Sequence, residues 1–262
     1  MTQRPPNRLL QALPAAEFDA LRSHLRIIEM VRQTVLIEAG SEPAHIYLPH
    51  SGAISMTVGL SEGQMVEVAM IGRDGVVGAS AALGAESWPS DAIVLLPGTA
   101  SVLHVAEMRA VRNLLARHEL ALLGQAQQST ACNASHSVEA RLSRWLLRAR
   151  DLSGDETLPL TQEFLARMIG VQRNAVSIVA HALRKAGTIR YSRGQIAISN
   201  GEALRRTSCE CYQAVKAAHD RLLLHRSAHT AAWPLQTNFL PIRRPGVRLC
   251  DGWRAYWRAA TQ

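Results

Sequence analysis

The segment 160–199 constrains the fold of this 262-residue chain more than any other. Thr161 stands where the N-cap of a first helix is expected, and apolar residues follow it at the spacing of a buried helix face. Gly170 lies in a short turn before a second helix over 172–185, whose apolar residues recur at helical spacing. Two short strand runs within 189–198 are joined by a glycine turn and predict a hairpin. This order predicts a winged helix-turn-helix.

The second predicted helix carries a polar face that suits the major groove of DNA. Arg173 can donate a bidentate pair of hydrogen bonds to guanine, Asn174 can pair with adenine, and Ser177 lies one turn further along. Basic and polar residues around the helix are placed to contact phosphates. The predicted DNA-contacting residues are Thr161, Gln162, Gln172, Arg173, Asn174, Ser177, His181, Arg184, Lys185 and Arg193. The alternative is a helical hairpin with a solvated polar face.

The charge of the chain is unevenly distributed along its length. Residues 1–137 hold 9 basic and 12 acidic residues, a net charge of −3, whereas residues 138–262 hold 20 basic and 9 acidic residues, a net charge of +11. The overall composition, with 47% hydrophobic residues, excludes a wholly disordered chain. The basic second half predicts that this half alone meets a polyanion.

The first third of the chain has the pattern of a small β-barrel. Short apolar runs recur about every 8–12 residues between glycine and proline turns, which is typical of a sandwich or barrel. The runs are 34–37, 45–48, 53–58, 66–71, 93–96 and 100–105. A short helix over 15–26, with Pro14 at its start, is predicted before them.

From Glu107 onward the apolar spacing is helical. The first long helix carries an apolar stripe made of Leu114, Leu115, Leu122, Leu123 and Ala126. Such a helix either packs on a second copy of the chain or lies on its own barrel, and the pattern favours neither. Further helices are predicted over 138–152 and 202–224. The tail 226–262 loses periodicity and is interpreted either as a nucleic-acid-binding arm or as an incidental extension.

No catalytic, metal or membrane site stands out in the sequence. The C-x-C motif at 209–211 could bind a soft metal or sense oxidation, but no His or Cys stands at a customary zinc spacing from it, so no metal ligand is predicted. The glycine-punctuated run 78–84 lacks a cation to hold a phosphate, so a strand corner is expected there. No apolar run is long enough to cross a bilayer and no secretory signal is visible, which predicts a cytoplasmic protein.

Taken together, these parts resemble the cyclic AMP receptor protein/fumarate-nitrate regulator (Crp/Fnr) superfamily of bacterial transcription factors over residues 15–215. The similarity is carried by Leu-Thr-Gln-Glu at 160–163, by Ile-Gly-Val-Gln-Arg-Asn-Ala-Val-Ser at 169–177 and by 183–187 with the following wing. In the barrel, Ile-Gly-Arg-Asp-Gly-Val-Val-Gly at 71–78 is similar to that family's core turn. The resemblance implies an α+β fold: an N-terminal cyclic-nucleotide-binding-like β-roll, a long dimerisation helix and a C-terminal winged helix-turn-helix.

The resemblance makes Arg173, Asn174 and Ser177 the base-reading positions. The family often has a glutamate where Asn174 stands and an arginine where Ile178 stands, so the operator sequence is not implied.

The cyclic nucleotide site departs further from the family pattern. Members that bind cyclic AMP have Gly-Glu for the ribose and Arg-Ser/Thr-Ala for the phosphate, where this chain has Gly78-Ala79 and Ser90-Asp91-Ala92. An aspartate beside the phosphate would repel it. The N-terminal cysteine cluster of iron–sulfur members is also missing, since the first cysteine is Cys132. The effector therefore stays unknown.

The sequence thus predicts a transcriptional regulator and not an enzyme, with no cofactor assigned. It is expected to bind an inverted-repeat operator in double-stranded DNA as a homodimer, with RNA polymerase as a further partner and without control by cyclic AMP. The predicted domains are a sensory β-roll at 1–110, a dimerisation helix at 111–137, the winged helix-turn-helix at 138–212, and a C-terminal helix with a disordered tail at 213–262. The alternative is a small-molecule-binding β-barrel protein or enzyme with a helical appendage.

Overall fold

The computed structural model describes residues 4–61 and 63–224. Within these ranges the architecture is mixed α and β, with a β-roll first, a long helix next and a winged helix-turn-helix after it. The predicted tail 226–262 lies outside the described residues.

Two antiparallel sheets build the β-roll. Helices α1 (Arg8–Ala12) and α2 (Ala15–Arg22) precede strands β1 (Arg26–Met30), β2 (Val35–Ile37), β3 (His45–Pro49), β4 (Ala53–Gly59), β5 (Met65–Ile71), β6 (Asp91–Leu96) and β7 (Gly98–His104), with the short helix α3 (Ala79–Ala82) between β5 and β6. One sheet has the strand order β1-β7-β3 and the other the order β2-β6-β4-β5. Ala100 of β7 and Val94 of β6 belong to one buried apolar cluster, so the two sheets share a core.

The predicted strand runs correspond to β2 through β7, but the helix predicted over 15–26 is wrong at its end. Helix α2 ends at Arg22, and the chain turns there because the N–H of His24 bonds the carbonyl of Leu21. Arg26, the last residue of the predicted helix, is instead the first residue of β1 and pairs with Val102 of β7. A strand partner far along the chain therefore decides the conformation that the local pattern assigned to a helix.

A long helix separates the roll from the winged domain. After a 3₁₀ helix over Val105–Val111, α4 (Arg112–Ser135) runs for 24 residues and contacts α3 and β5. Leu115 and Leu122 are buried in the core of the roll, whereas Leu123 is exposed. The predicted stripe is therefore not one surface, because its members lie on two sides of the helix. The side that carries Leu115 and Leu122 packs on the chain's own roll, which is one of the two alternatives that the sequence left open.

The winged helix-turn-helix follows in the predicted order. Its elements are α5 (Val138–Ser153), β8 (Thr157–Leu158), α6 (Gln162–Met168), α7 (Arg173–Lys185), β9 (Ile189–Ser192) and β10 (Gln195–Ile198), and its small sheet has the order β8-β10-β9. Leu142, Trp145, Leu146 and Ala149 of α5 are all buried, which confirms the apolar face predicted for this helix.

The single helix predicted over 202–224 is wrong, because two helices occupy this segment. Helix α8 (Gly201–Thr207) ends at Ser208, whose backbone is extended and whose hydroxyl donates to the carbonyl of Arg205 at 2.7 Å. Helix α9 (Cys211–Leu224) begins after that link and packs on α4. A serine that bonds its own backbone favours such a break over a continuous helix.

A buried ion pair ties the winged domain to the roll. Arg148 of α5 donates to Asp74, in the turn after β5, at 2.7 Å, and to the carbonyl of Met70 at 3.3 Å. Burial alone would raise the pKa of Asp74, but the Arg148 guanidinium outweighs it and holds that pKa well below its usual range. Both charges are therefore present and paired with each other inside the protein.

Glu67 makes a second link between the same two parts. Its carboxylate on β5 accepts from Ser55 Oγ at 2.6 Å and from Trp145 Nε1 of α5 at 2.8 Å. Burial raises the pKa of Glu67 to about 7, although these hydrogen bonds and nearby arginines lower it in part. This carboxyl group therefore titrates near neutral pH.

Candidate DNA interface and effector cavity

The two helices of the helix-turn-helix are fixed by a cap and a tight turn. Thr161 Oγ1 accepts from the N–H of Phe164 at 3.2 Å, which is the predicted N-cap of α6. Gly170 has φ +62°, a left-handed conformation that favours glycine, and it lets the chain enter α7. The apolar side of α7 is buried through Val176, Ala180 and Leu183, so its other side faces outward.

The outward side of α7 carries much of the predicted DNA-contacting set. The members of this set that are exposed on α7 or at its N-cap are Gln172, Arg173, Asn174, His181, Arg184 and Lys185. The Arg173 side chain is 70% exposed, and its Nε lies 3.8 Å from a carboxylate oxygen of Glu163. Since exposed ion pairs of this kind are weak, the guanidinium can exchange this partner for a base or a phosphate. The positive end of the helix dipole lies beside it at the start of α7.

Two other predicted base readers are already engaged in hydrogen bonds. Asn174 Oδ1 accepts from the N–H of Ala175 at 2.7 Å, which leaves the amide NH₂ group to donate. Ser177 Oγ donates to Gln162 Oε1 at 2.7 Å, so this pair joins α7 to α6. Gln162 and Ser177 therefore orient each other, and the Gln162 NH₂ group stays available as a donor.

The wing lies next to the start of α6. Arg193 is exposed in the turn between β9 and β10, with φ +46°. A Cβ built on the neighbouring Gly194 would lie 3.5 Å from Thr161 Cγ2. The structure thus brings the predicted contacts at 161 and 193 to the same edge of the domain.

Ile178 is a surface residue that the predicted set omits. It lies on α7 one turn after Asn174, and 70% of it is exposed, an unusual position for a large apolar side chain. An apolar side chain on a groove-facing helix suits the methyl group of thymine. The signal in the sequence is an isoleucine within an otherwise polar helix face.

A cavity of about 420 Å³ lies between the roll and α4. Its apolar walls include Met56, Val68, Trp88 and Leu122. Among the described residues that line it, Glu119 is the only charged one. The cavity is therefore suited to a small apolar or weakly polar molecule and not to a phosphate.

The two segments that replace the family's nucleotide motifs are occupied by the fold itself. Gly78 has φ +89°, and a Cβ there would lie 2.7 Å from the carbonyl oxygen of His45, so this glycine serves a backbone corner. Ala79 is fully buried. Asp91 accepts a hydrogen bond from the N–H of Ala39 at 2.9 Å, and it brings a negative charge.

Two family models match this chain in succession. Residues 28–118 match the cyclic nucleotide-binding domain, and residues 140–207 match the Crp-like helix-turn-helix domain. No curated protein matches the chain. Among the described residues, no helix combines the length and the apolar character needed to cross a membrane.

Solved structures of transcriptional regulators share the fold. The CRP-family regulator TTHB099 of Thermus thermophilus has a TM-score of 0.60 at 19% identity, over 69% of this chain and 96% of its own. FixK2 of Bradyrhizobium japonicum has a TM-score of 0.60 at 15% identity, over 71% of this chain and 98% of its own. A crp/fnr-family regulator of Eubacterium rectale has a TM-score of 0.59 at 16% identity, over 76% and 96%. At these identities the similarity concerns the fold.

Proposed function

Because the chain belongs to the Crp/Fnr superfamily of transcriptional regulators, we propose that it binds an inverted-repeat operator in double-stranded DNA as a homodimer and does not respond to cyclic AMP. The family is one of transcriptional regulators and not of enzymes. The observation that carries the proposal is the exposed polar side of α7 in a domain whose apolar side is buried. A regulator of this kind acts on transcription in the cytoplasm, so RNA polymerase is the further partner.

Docking of α7 in the major groove accounts for the chemistry of its exposed side. The helix enters the groove with its N-terminal end, where Arg173 donates to guanine O6 and N7 and the Asn174 NH₂ group donates to a base acceptor. Arg193 on the wing and the basic residues at the end of α7 contact phosphates. Ile178 lies against a thymine methyl group.

The outer side of α4 supports the dimer. Its exposed residues include a row made of Ala116, Leu120, Leu123, Gln127, Thr130 and Ala134. They alternate at spacings of four and three positions, which is the pattern of a coiled-coil seam. Leu120 is 68% exposed and Leu123 is 54% exposed, and water contact with two such leucines is unfavourable. A second copy of α4 along this seam covers both.

The cavity beside α4 supports independence from cyclic AMP. A cyclic phosphate needs a cation or several N–H donors. The charged residue among those that line the cavity is Glu119, which is an anion. Asp91 stands where members that bind the nucleotide have a serine or threonine after the phosphate arginine. Repulsion between the Glu119 carboxylate and a phosphate in this cavity disfavours the nucleotide.

Selection of bound fragments from random double-stranded DNA tests the proposed function. We expect enriched sequences with two inverted half-sites centred about 10–10.5 base pairs apart, one helical turn. The same selection with Arg173 and Asn174 both changed to alanine is the control and should lose the motif. Enrichment of direct repeats, or of a single unpaired half-site, would contradict the dimeric docking proposed here.

A further inference from the structure

Four potential metal ligands meet where α4 ends. Cys132 and His136 lie one turn apart in and just after the last turns of α4, while Cys209 lies in the link between α8 and α9 and Cys211 is the first residue of α9. Their ligand atoms all lie within 4.8 Å of one another. Cys132 and Cys211 are fully buried, and Cys209 is 8% exposed. The C-x-C motif, which has no partner nearby in the sequence, thus gains two partners from a distant helix.

The distances within this cluster fit a single tetrahedral ion. Zinc bonds of about 2.3 Å to sulfur and about 2.0–2.1 Å to nitrogen place two sulfur ligands about 3.8 Å apart, and a sulfur and a nitrogen about 3.6 Å apart. The Sγ atoms of Cys132 and Cys209 are 3.6 Å apart. Cys211 Sγ and His136 Nδ1 are also 3.6 Å apart. Both pairs are therefore spaced as two ligands of one ion.

The groups around the cluster orient the ligands as outer partners of a metal do. Glu210 Oε1 lies 3.2 Å from His136 Nε2, so the carboxylate holds one ring nitrogen and the other, Nδ1, faces the sulfurs. A carboxylate behind a ligating histidine is a common arrangement at zinc sites. Gln128 Nε2 donates to Cys211 Sγ at 3.1 Å, a contact that stabilises a thiolate.

We propose that Cys132, His136, Cys209 and Cys211 bind one zinc-class divalent ion in a closed, four-coordinate site. Each of the three thiols releases its proton to solvent as its sulfur bonds the metal, and the imidazole binds as the neutral ring. All four positions are filled by the protein, so the site is structural and not catalytic. This inference does not depend on the DNA-binding function proposed above.

The bound ion would cross-link distant parts of the chain. Cys132 and Cys209 are 77 positions apart, and the helix-turn-helix and wing lie between them. Helix α5 begins at Val138, two positions after the ligand His136. The ion therefore anchors the segment after α8 to the end of α4, close to the start of α5.

Metal analysis of the full-length chain tests the site. After purification with zinc and extensive dialysis, we expect one zinc per chain by elemental mass spectrometry. Cys209→Ser and His136→Gln should each lose the metal. Cys250→Ser, which removes the remaining cysteine of the sequence, is the matched control and should retain it. Glu210→Ala changes an exposed side chain and should weaken zinc binding about 10–100-fold without loss of folding.

Cobalt substitution keeps the proposal testable if a cysteine variant fails to fold. The chain is stripped of metal with a chelator, reduced so that a Cys132–Cys209 disulfide cannot persist, and titrated with Co²⁺. We expect saturation at one ion per chain with the visible absorption of tetrahedral cobalt thiolate, and no such absorption with His136→Gln. Reduced wild-type protein that binds neither zinc nor cobalt, or that loses no metal when Cys209 is changed, would overturn the proposal.

Discussion

Two exposed arginines of the winged domain are expected to act differently on DNA. Arg173 opens the recognition helix, where a side chain points into the groove, whereas Arg193 stands in the wing turn, where it reaches the flanking backbone. Arg173→Ala should cost about 1–3 kcal/mol on the preferred site and blur the preference at one position of each half-site. Arg193→Ala should weaken binding to all sequences about equally.

The measurement is selection from random DNA with each variant, followed by titration of the preferred site at two salt concentrations. Arg193→Ala should lower the salt dependence by about one released ion, because it removes one phosphate contact. Each variant serves as the control for the other. If Arg173→Ala keeps the motif at full sharpness while Arg193→Ala loses it, these roles are reversed.

Single residues could be predicted from the sequence where their partners are local. Thr161 caps α6 through the N–H of Phe164, only three positions away, and the capping pattern is therefore visible in the sequence. The partners of Cys209 and Cys211 come from α4, and the fold alone brings them together. The hydrogen bond from Ser177 to Gln162 also could not be predicted, because the two residues are 15 positions apart and lie on different helices.

At the scale of elements, the contact between β5 and α5 is expected to depend on pH through Glu67. In the unfolded chain this carboxyl group has an ordinary pKa near 4.5, whereas burial raises it to about 7 in the folded protein. The folded state therefore holds the proton more tightly, so stability falls as pH rises from about 4.5 to about 7 and then levels off. Each unit of pKa difference corresponds to about 1.4 kcal/mol.

Glu67→Gln tests this pH dependence. Glutamine is neutral at every pH and keeps an acceptor for Trp145, so the variant should gain stability over the wild type as pH rises and keep that gain above pH 7. Urea unfolding at a series of pH values measures the difference. Glu139→Gln, an exposed change on the same α5, is the control and should leave the pH profile unchanged. An unchanged profile for Glu67→Gln would contradict the interpretation.

Elements with a strong apolar period match the prediction from the sequence, whereas elements that are fixed by pairing with a distant strand do not. Helix α7 has three buried apolar residues at helical spacing, so its existence and its exposed side are predictable. Strand β1 exposes Ile27 at 70% and owes its conformation to pairing with β7. The break between α8 and α9 depends on Ser208 and on the burial of the cysteines beside it.

At the scale of the whole molecule, the chain is expected to be insensitive to cyclic AMP. The cavity beside α4 has a carboxylate and no basic group among the described residues that line it. Isothermal titration with cyclic AMP and with cyclic GMP should give no binding heat, and neither nucleotide should alter affinity for the selected operator. Binding in the low micromolar range would show that other residues hold the phosphate.

The order of parts is the property of the molecule that the sequence predicts best. Glycine turns, the change of apolar period after Glu107 and the shift of charge near residue 138 each mark a boundary between parts. The way in which the parts pack is not visible there, because it depends on contacts such as that between Arg148 and Asp74, which join residues far apart in the sequence.

The exposed seam of α4 predicts that two copies of the chain form a dimer. The wild-type chain should sediment at micromolar concentration as a dimer of about 57 kDa, twice the mass of the 28.6 kDa chain. Leu120→Glu places a charge opposite its own copy in the seam, so it should shift the protein to monomer and weaken operator binding, since one winged helix contacts a single half-site. Ile27→Glu introduces the same charge at an apolar side chain that is 70% exposed on β1, outside α4, and it should remain dimeric. A wild-type monomer both with and without operator DNA, or a Leu120→Glu variant that stays dimeric, would contradict the seam.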